Sequence, residues 1–513
     1  MVGWFKVQSQ ESKSPIPRPF TTTFRELWPL NEPYAYAALI EDPETRGLRY
    51  VIIEPTLLDE EKARLADIQS IMMEELDVDL RTVGDKEKAV TYLRKKAEQI
   101  GKIYKMELSK ETLDKFMYYI ERDYINYSKI DPIMRDHLIE DISCDGPMVP
   151  IYVWHRQYES LPTNVSFETA DQLDSFVVRL AYKSGRHISI ATPIVDATLP
   201  DGSRAQITYG KEVTKRGSTF TIRKFKADPL TITDLIDFKT MSSSMAAYLW
   251  FLVENRVCLI VAGGTATGKT TLLNCISMFI RPDQKVVSIE ETSELNLPHE
   301  NWIASISRPS FGGAGGAGEI SLFDLLKAAL RQRPDYIIVG EVRGEETYTL
   351  FQAMATGHGG LSSIHADSIT SMINRLETEP MNIPRALIPT LDMVLMMVRT
   401  RIADKPVRKV ERISEIACSE QSPMTISSND VVNWDPALDE FSFTGKTTTI
   451  EKIKARKGVS QDHVEKELMR RRTVIDWMVK SRIRRYRDVA GVIRDYNNEP
   501  EGTYDKARLG LQS

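Results

Sequence analysis

The sequence predicts an α/β protein: a C-terminal domain built on a parallel sheet with covering helices, preceded by an N-terminal domain that is part helical and part α+β. Three observations carry this. From about 240 to 420, short β-branched apolar runs alternate with amphipathic stretches, the pattern of parallel strands and crossover helices. Residues 55–140 space their apolar side chains helically at high charge density. Residues 150–225 alternate β-branched and polar residues around turn signals. A chain of 513 residues exceeds one compact core, so at least two domains are expected.

Taken in order, residues 1–20 are polar and hold three prolines, which reads as a flexible arm with Trp4 and Phe5 as a docking point. The N-terminal domain is expected over 21–225, its helical bundle at about 55–140 and its α+β part at about 150–225. Ser109 to Glu111 opens the third bundle helix with an N-cap-like start. "PIYVWH", "ISIATPIVDATL", "RAQITYG" and "STFTIRKF" read as strands, "PDGS" (200–203) as a hairpin turn, and about 168–183 as a helix. Residues 226–238 read as a linker broken by Pro229. The C-terminal domain is expected over 239–513. Its strands are 257–262, 285–290, 336–342, 361–365 and 393–398; its helices are 269–280, 321–332, 345–356 and 369–377. "FGGAGGAGE" (311–319) reads as a mobile glycine-rich loop, and the chain closes on a basic helical extension.

Apolar residues at 42%, charged residues at 27% and a net charge of −5 describe an ordinary globular surface, with no basic surplus to suggest a nucleic-acid partner. Cys144, Cys258, Cys275 and Cys418 form no CxxC pair, so neither a zinc knuckle nor a disulfide framework is implied and a reducing compartment fits; Cys258 and Cys275 read as buried thiols. The N-terminus lacks an apolar signal core, and the longest apolar candidate, 387–398, is interrupted by Pro389 and Asp392. The expectation is a soluble cytoplasmic protein that docks on a membrane protein.

Gly263-Gly264-Thr265-Ala266-Thr267-Gly268-Lys269-Thr270, followed by Thr271, fits GxxxxGK[ST] between an apolar strand and a helix. Glycines let successive N–H groups turn toward phosphate oxygens, and the helix N-terminus adds its positive end. Lys269 reaches the β- and γ-phosphates, and the Thr270 hydroxyl ligates Mg²⁺. Hydrolysis needs a further acid. "RQRPDYIIVGEVRGEE" (331–346) supplies Glu341 at the C-terminal end of a buried strand, with Gly340 where an aspartate is usual and Arg343 nearby as an alternative ion-pair partner. Glu290, Glu291 and Glu294 follow another strand and offer a second carboxylate, or a capped loop. His358 and His365 flank one short strand; beside a nucleotide they suggest a γ-phosphate sensor, because no cysteine or acid completes a tetrahedral metal site.

"GGTATGKTT", "IEETSEL", "RQRPDYIIVGEVRGEET" and "TGHGGLSSIHAD", in this order, resemble the Walker A, Asp box, atypical Walker B and His box of the secretion ATPases of type II secretion and type IV pilus systems. "LIEDISCDGP", "TNVSF", "SGRHISIATPIVDATLPDGSR" and "STFTIRKF" resemble the archaeal branch, most closely its archaellum motor ATPases. The resemblance is strong over about 130–420. It implies a RecA-like ATPase domain, ATP with Mg²⁺, a homohexamer with nucleotide between the two domains, a polytopic membrane platform protein and accessory archaellum motor proteins as partners, and a place at the inner face of the cell membrane. It makes Glu341 catalytic and sets Glu291 in the Asp box, where the family has aspartate. His358 and His365 become the His box pair, and Arg204 and Arg223 face the γ-phosphate, with Arg186 a weaker candidate. No tetracysteine zinc module is present. The function implied is assembly and rotation of the archaellum, with pilus assembly or type II secretion as the alternative within the class. A RecA-like nucleic-acid translocase would need a basic, aromatic-lined channel, and only 470–487 resembles one. A non-hydrolysing switch is opposed by Glu341.

Overall fold

The structure, a computed structural model, describes residues 24–512 apart from 43–44, 76–85, 105, 107, 226–227, 309–317, 403–404, 420–421 and 446. The proposed arm with Trp4 and Phe5, and most of the glycine-rich loop, lie outside the described residues. The chain divides into two compact units, residues 1–225 and 226–513.

The first unit opens on an antiparallel meander, β1 (Glu26–Asn31), β2 (Ala35–Glu41) and β3 (Leu48–Ile53). Pro29 sits in β1, at the sheet edge, where a missing donor is tolerated. Helices α1 (Asp59–Glu75), α2 (Lys86–Ile103) and α3 (Lys110–Ile120) enclose a core of Ile68, Met72, Leu93, Ala97, Phe116 and Ile120. Ser109 caps α3 by accepting the Thr112 N–H. A short α4 (Asp131–Arg135) leads to β4 (Ile139–Cys144), β5 (Tyr152–His155), β6 (Glu159–Pro162), α5 (Ala170–Lys183), β7 (Ile194–Thr198), β8 (Arg204–Thr208) and β9 (Thr219–Arg223). These six strands form an antiparallel sheet in the order β6-β5-β4-β9-β8-β7, covered by Leu173, Phe176, Val177 and Leu180 of α5. Residues 200–203 turn β7 into β8, with Gly202 at φ 86°, a left-handed conformation that suits glycine.

The second unit starts inside the stretch expected to be a linker. Helix α6 (Ile232–Asp237) forms there, buries Ile232 and Leu235, and is held by a capping box between Thr231 and Asp234. Arg484 reaches Asp234 at 3.2 Å and Asp237 at 2.7 Å, so this segment is built into the unit. Next come α7 (Ser243–Glu254), β10 (Leu259–Gly263), α8 (Lys269–Ser277), β11 (Val286–Glu290), β12 (Trp302–Ile306) and α9 (Leu322–Leu330). They are followed by β13 (Tyr336–Val339), α10 (Glu346–Ala355), β14 (Gly359–His365), α11 (Ile369–Glu377), β15 (Met393–Ile402), β16 (Lys405–Ser419), β17 (Ser422–Asp435) and β18 (Glu440–Phe443).

The sheet order is β12-β11-β13-β14-β10-β15-β16-β17-β18. The first six strands are parallel, and the last three continue antiparallel from β15. Both faces are buried. Leu259 and Val261 join the core under α7 and α8, while Ile260 and Ala262 join the core under α9, α10 and α11. Period-two alternation therefore delivers one strand to two cores.

The chain ends in α12 (Thr448–Lys457), α13 (Gln461–Lys480), α14 (Tyr486–Asn498) and α15 (Pro500–Gln512), which pack on the α7 side through Ile450, Val474, Ile475, Val489 and Ile493. The basic stretch at 470–487 is largely paired. Arg471 is 4% exposed and reaches Glu254 and Glu467 beneath the rings of Trp250 and Tyr496. Arg472 meets Asp476. No helix of the described residues is long and apolar enough to cross a membrane. Cys144, Cys258 and Cys275 are free, buried thiols, and burial pushes the Cys258 thiol up to about 12.

Candidate nucleotide site

Parallel strands end together, so the residues after β11, β13, β14 and β10 meet along one edge of the sheet. Gly263 closes β10 opposite His365 of β14. The loop that follows leaves Gly264, Thr265 and Ala266 exposed and returns as α8 through Gly268, at φ 93°. Gly263 is required by space: a Cβ there would lie 2.5 Å from the Met397 carbonyl oxygen. Ala266 adopts φ 59°, an uncommon choice for alanine.

Inside the loop, the Thr267 hydroxyl donates to the Gly264 oxygen at 3.0 Å. Lys269, 7% exposed, donates to the same oxygen at 2.8 Å and lies 3.2 Å from His365 Nδ1. Burial lowers the Lys269 pKa, and Glu341 and Glu294 pull it back up. His365 Nε2 is 3.3 Å from Glu341 Oε1. Burial first and the Lys269 cation second hold the imidazole below its ordinary value, which favours the neutral ring. Lys269, His365 and Glu341, drawn from three different segments, thus form one continuous contact chain.

The adjacent carboxylates after β11 diverge. Glu290 is 4% exposed and accepts the Glu294 and Leu295 N–H groups at 3.1 and 3.0 Å; burial pushes its pKa up to about 7. Glu291 is half exposed and pairs with Arg343. Gly340 explains its own identity: a Cβ there would press within 3.1 Å of Glu290 Cγ. An aspartate there would require the Glu290 side chain to shift by a few tenths of an ångström.

His358 is not part of the site. It precedes β14, at the opposite end of the strand from His365, roughly 23 Å away at about 3.3 Å per residue. Its Nδ1 contacts Thr356 Oγ1 and the Ala353 oxygen, both at 3.1 Å, a helix C-terminus contact. Arg204 and Arg223 belong to the first unit, where they are exposed and directly opposed on β8 and β9. On its other side Arg223 lies opposite Asp141 of β4, an acid that offsets the like-charge register. Arg186 is half-buried beyond α5 in the same unit.

Two participants were given no role from sequence: Glu346, at the end of the 331–346 motif, and Arg408, outside every motif. Glu346, 6% exposed, accepts the Arg343 and Gly344 N–H groups, both at 2.8 Å, and fixes the turn carrying Glu341. An acid in the first turn of a helix is its sequence signal. Arg408 of β16 donates to the Ala266 oxygen at 3.0 Å. Among the described residues no cluster of His, Cys, Asp and Glu forms a protein-only metal site. A cation held with phosphate would instead draw on the Thr270 hydroxyl, which follows Lys269 at the start of α8, and on Glu291.

A glycine-walled loop, a helix N-terminus, a buried lysine and a carboxylate after β13 have the chemistry of a phosphate site on an α/β domain. The chain matches the Type II/IV secretion system protein family over residues 129–494, and it belongs to that family. It is similar to an uncharacterized protein of Methanocaldococcus jannaschii, with 36% identity over 507 residues covering 94% of this chain and 90% of the relative. The conjugal transfer protein TrbB of Rhizobium radiobacter shares 33% identity over 189 residues, 36% of this chain and 55% of its own. Among solved structures, the pilus retraction motor PilT with bound ADP is 19% identical, covers 72% of this chain and 92% of its own, and gives a TM-score of 0.40. The VirB11 ATPase of the Brucella suis type IV secretion system is 24% identical, covers 54% and 89%, and gives 0.29.

Proposed function

We propose that the chain is an ATP-hydrolysing motor of a secretion- or pilus-type machine at a membrane. The contact chain from Lys269 through His365 to Glu341 carries this reading, because it joins the loop lysine to a carboxylate through an imidazole. The loop N–H groups and Lys269 hold the β- and γ-phosphates of ATP. Thr270 and Glu291 hold Mg²⁺, which when bound neutralises phosphate charge. Glu341 orients the attacking water, and His365 fixes that carboxylate on one side. Arg343 keeps Glu291 in place through their ion pair. The motif resemblance alone adds Arg204 and Arg223 as candidates for the γ-phosphate environment.

The motif resemblance supports a homohexamer acting on a polytopic membrane platform protein from the inner face of the membrane. It supports the archaellum, with its accessory motor proteins, as the machine. Family membership supports pilus assembly or type II secretion as the second reading. Deleting the gene and scoring archaella, pili and secretion separately decides between them. A nucleic-acid translocase is disfavoured, since Arg471 is buried and paired inside the C-terminal helices.

The chemistry is tested with Glu341→Gln. ATP affinity should stay within about twofold while kcat falls by roughly 100-fold or more, the scale of a lost general base. Equal losses of binding and turnover would return Glu341 to a structural ion pair.

A further inference from the structure

We infer that Arg408 is a positioning residue for the phosphate loop, pinning the Ala266 carbonyl outward so that the next N–H, on Thr267, faces the phosphate. This rests on the nucleotide reading of the loop. In a trans peptide the C=O and the following N–H point in opposite directions. Fixing the Ala266 oxygen therefore fixes the direction of the Thr267 donor. The contact is charge-assisted at 3.0 Å, stronger than a neutral hydrogen bond. It acts where the backbone is least settled by its own preference: Ala266 at φ 59° is left-handed without being glycine.

Sheet register brings Arg408 there. Met397 of β15 pairs with Gly263 of β10, the last residue before the loop, and β15 then runs on past it. Arg399 lies two residues beyond Met397, directly opposite Arg408 on β16, so both arginines stand level with the loop. The aliphatic stem of Arg408 also walls the loop: a Cβ on Gly268 would come within 3.3 Å of its Cδ.

The experiment uses the full chain with MgADP as the binding probe, measured by calorimetry for Arg408→Ala, Arg408→Lys and Lys269→Ala. Arg408→Ala should raise the MgADP Kd about tenfold, the scale of one charge-assisted hydrogen bond. Its kcat at saturating ATP should stay within about threefold, and its melting temperature without nucleotide should be unchanged, because the residue is exposed. Arg408→Lys, which retains a cationic donor, should recover part of the affinity. Wild-type affinity in Arg408→Ala while Lys269→Ala loses binding would overturn the inference alone. A large fall in kcat at unchanged Kd would also overturn it, placing Arg408 on the reacting phosphate. Wild-type affinity in Lys269→Ala would remove the nucleotide reading and this inference with it.

Discussion

Burial separates the two carboxylates that follow β11, and this makes Glu290 a pH-dependent term in stability. Its folded pKa, about 7, stands above the ordinary 4.5 because burial penalises the charged form. Between those values the folded state binds more protons than the unfolded one. The contribution is thus fully present below about pH 4.5 and is lost as pH rises through about 7. Glu290→Gln keeps an acceptor for the Glu294 and Leu295 N–H groups but cannot ionise. Denaturant titrations across pH 4–8 should show the wild type losing stability toward neutral pH and the variant losing less; parallel curves would refute this role. At this scale the contiguous motifs were legible: the loop from Gly263 to Thr271, Lys269, Glu341 and His365 needed only residue type and order. His358 was misread because two histidines flanking a strand sit at its two ends, and only one end of a parallel sheet holds the ligand. Arg408 was invisible because 142 residues separate it from Ala266, and only strand register joins them.

Among the elements, α13 is fastened to α7 by a buried cation. Arg471 bridges Glu254 and Glu467 at 2.6 and 2.5 Å under three aromatic rings. Arg471→Ala would strip the half-buried Glu254 carboxylate of its Arg471 partner and leave Glu467 with Arg470 and the Tyr496 hydroxyl, both beside a void. Removing one partner of a buried pair costs about 3–5 kcal/mol, so a clear fall in melting temperature is expected. A change within one degree would mean the helices are held by apolar packing alone. Arg472→Ala, exposed on the same helix, serves as the control and should cost well under 1 kcal/mol. The parallel strands were legible because burial on both faces writes them as unbroken apolar runs. Strands β16 and β17 were not, because their apolar pattern is broken by charge. Lys409 is 1% exposed inside β16, satisfied by the Lys239 oxygen and Asp439, which no local pattern announces. Helix α6 follows Pro229, which marks a break, and its signal is a Thr-x-x-Asp capping box too local to show that the segment is packed into the unit.

For the molecule as a whole, the proposed ring predicts activity that depends on protein concentration. Turnover per subunit should rise as the chain is concentrated and level off once light scattering reports a hexamer, if Arg204 and Arg223 complete the site on assembly. Constant turnover in a dilute monomer would remove the ring from the mechanism. The same experiment with Arg204→Ala mixed into wild type separates assembly from chemistry: inactive subunits that still enter the ring should poison it beyond their share.

Strand β16 has a mechanical consequence. Near its start Arg408 holds the phosphate loop; seven residues on, Glu415 accepts the Thr448 and Thr449 N–H groups at the head of α12. The two anchor points lie roughly 24 Å apart at about 3.4 Å per residue. Between them β15 pairs the strand, with a bulge at Glu411, and β17 pairs it from Arg412 onward. A strand held in a ladder resists stretching better than a loop, and the bulge is where it would bend. A load on the C-terminal helices therefore has a backbone route to the phosphate loop, with its compliant point at the bulge.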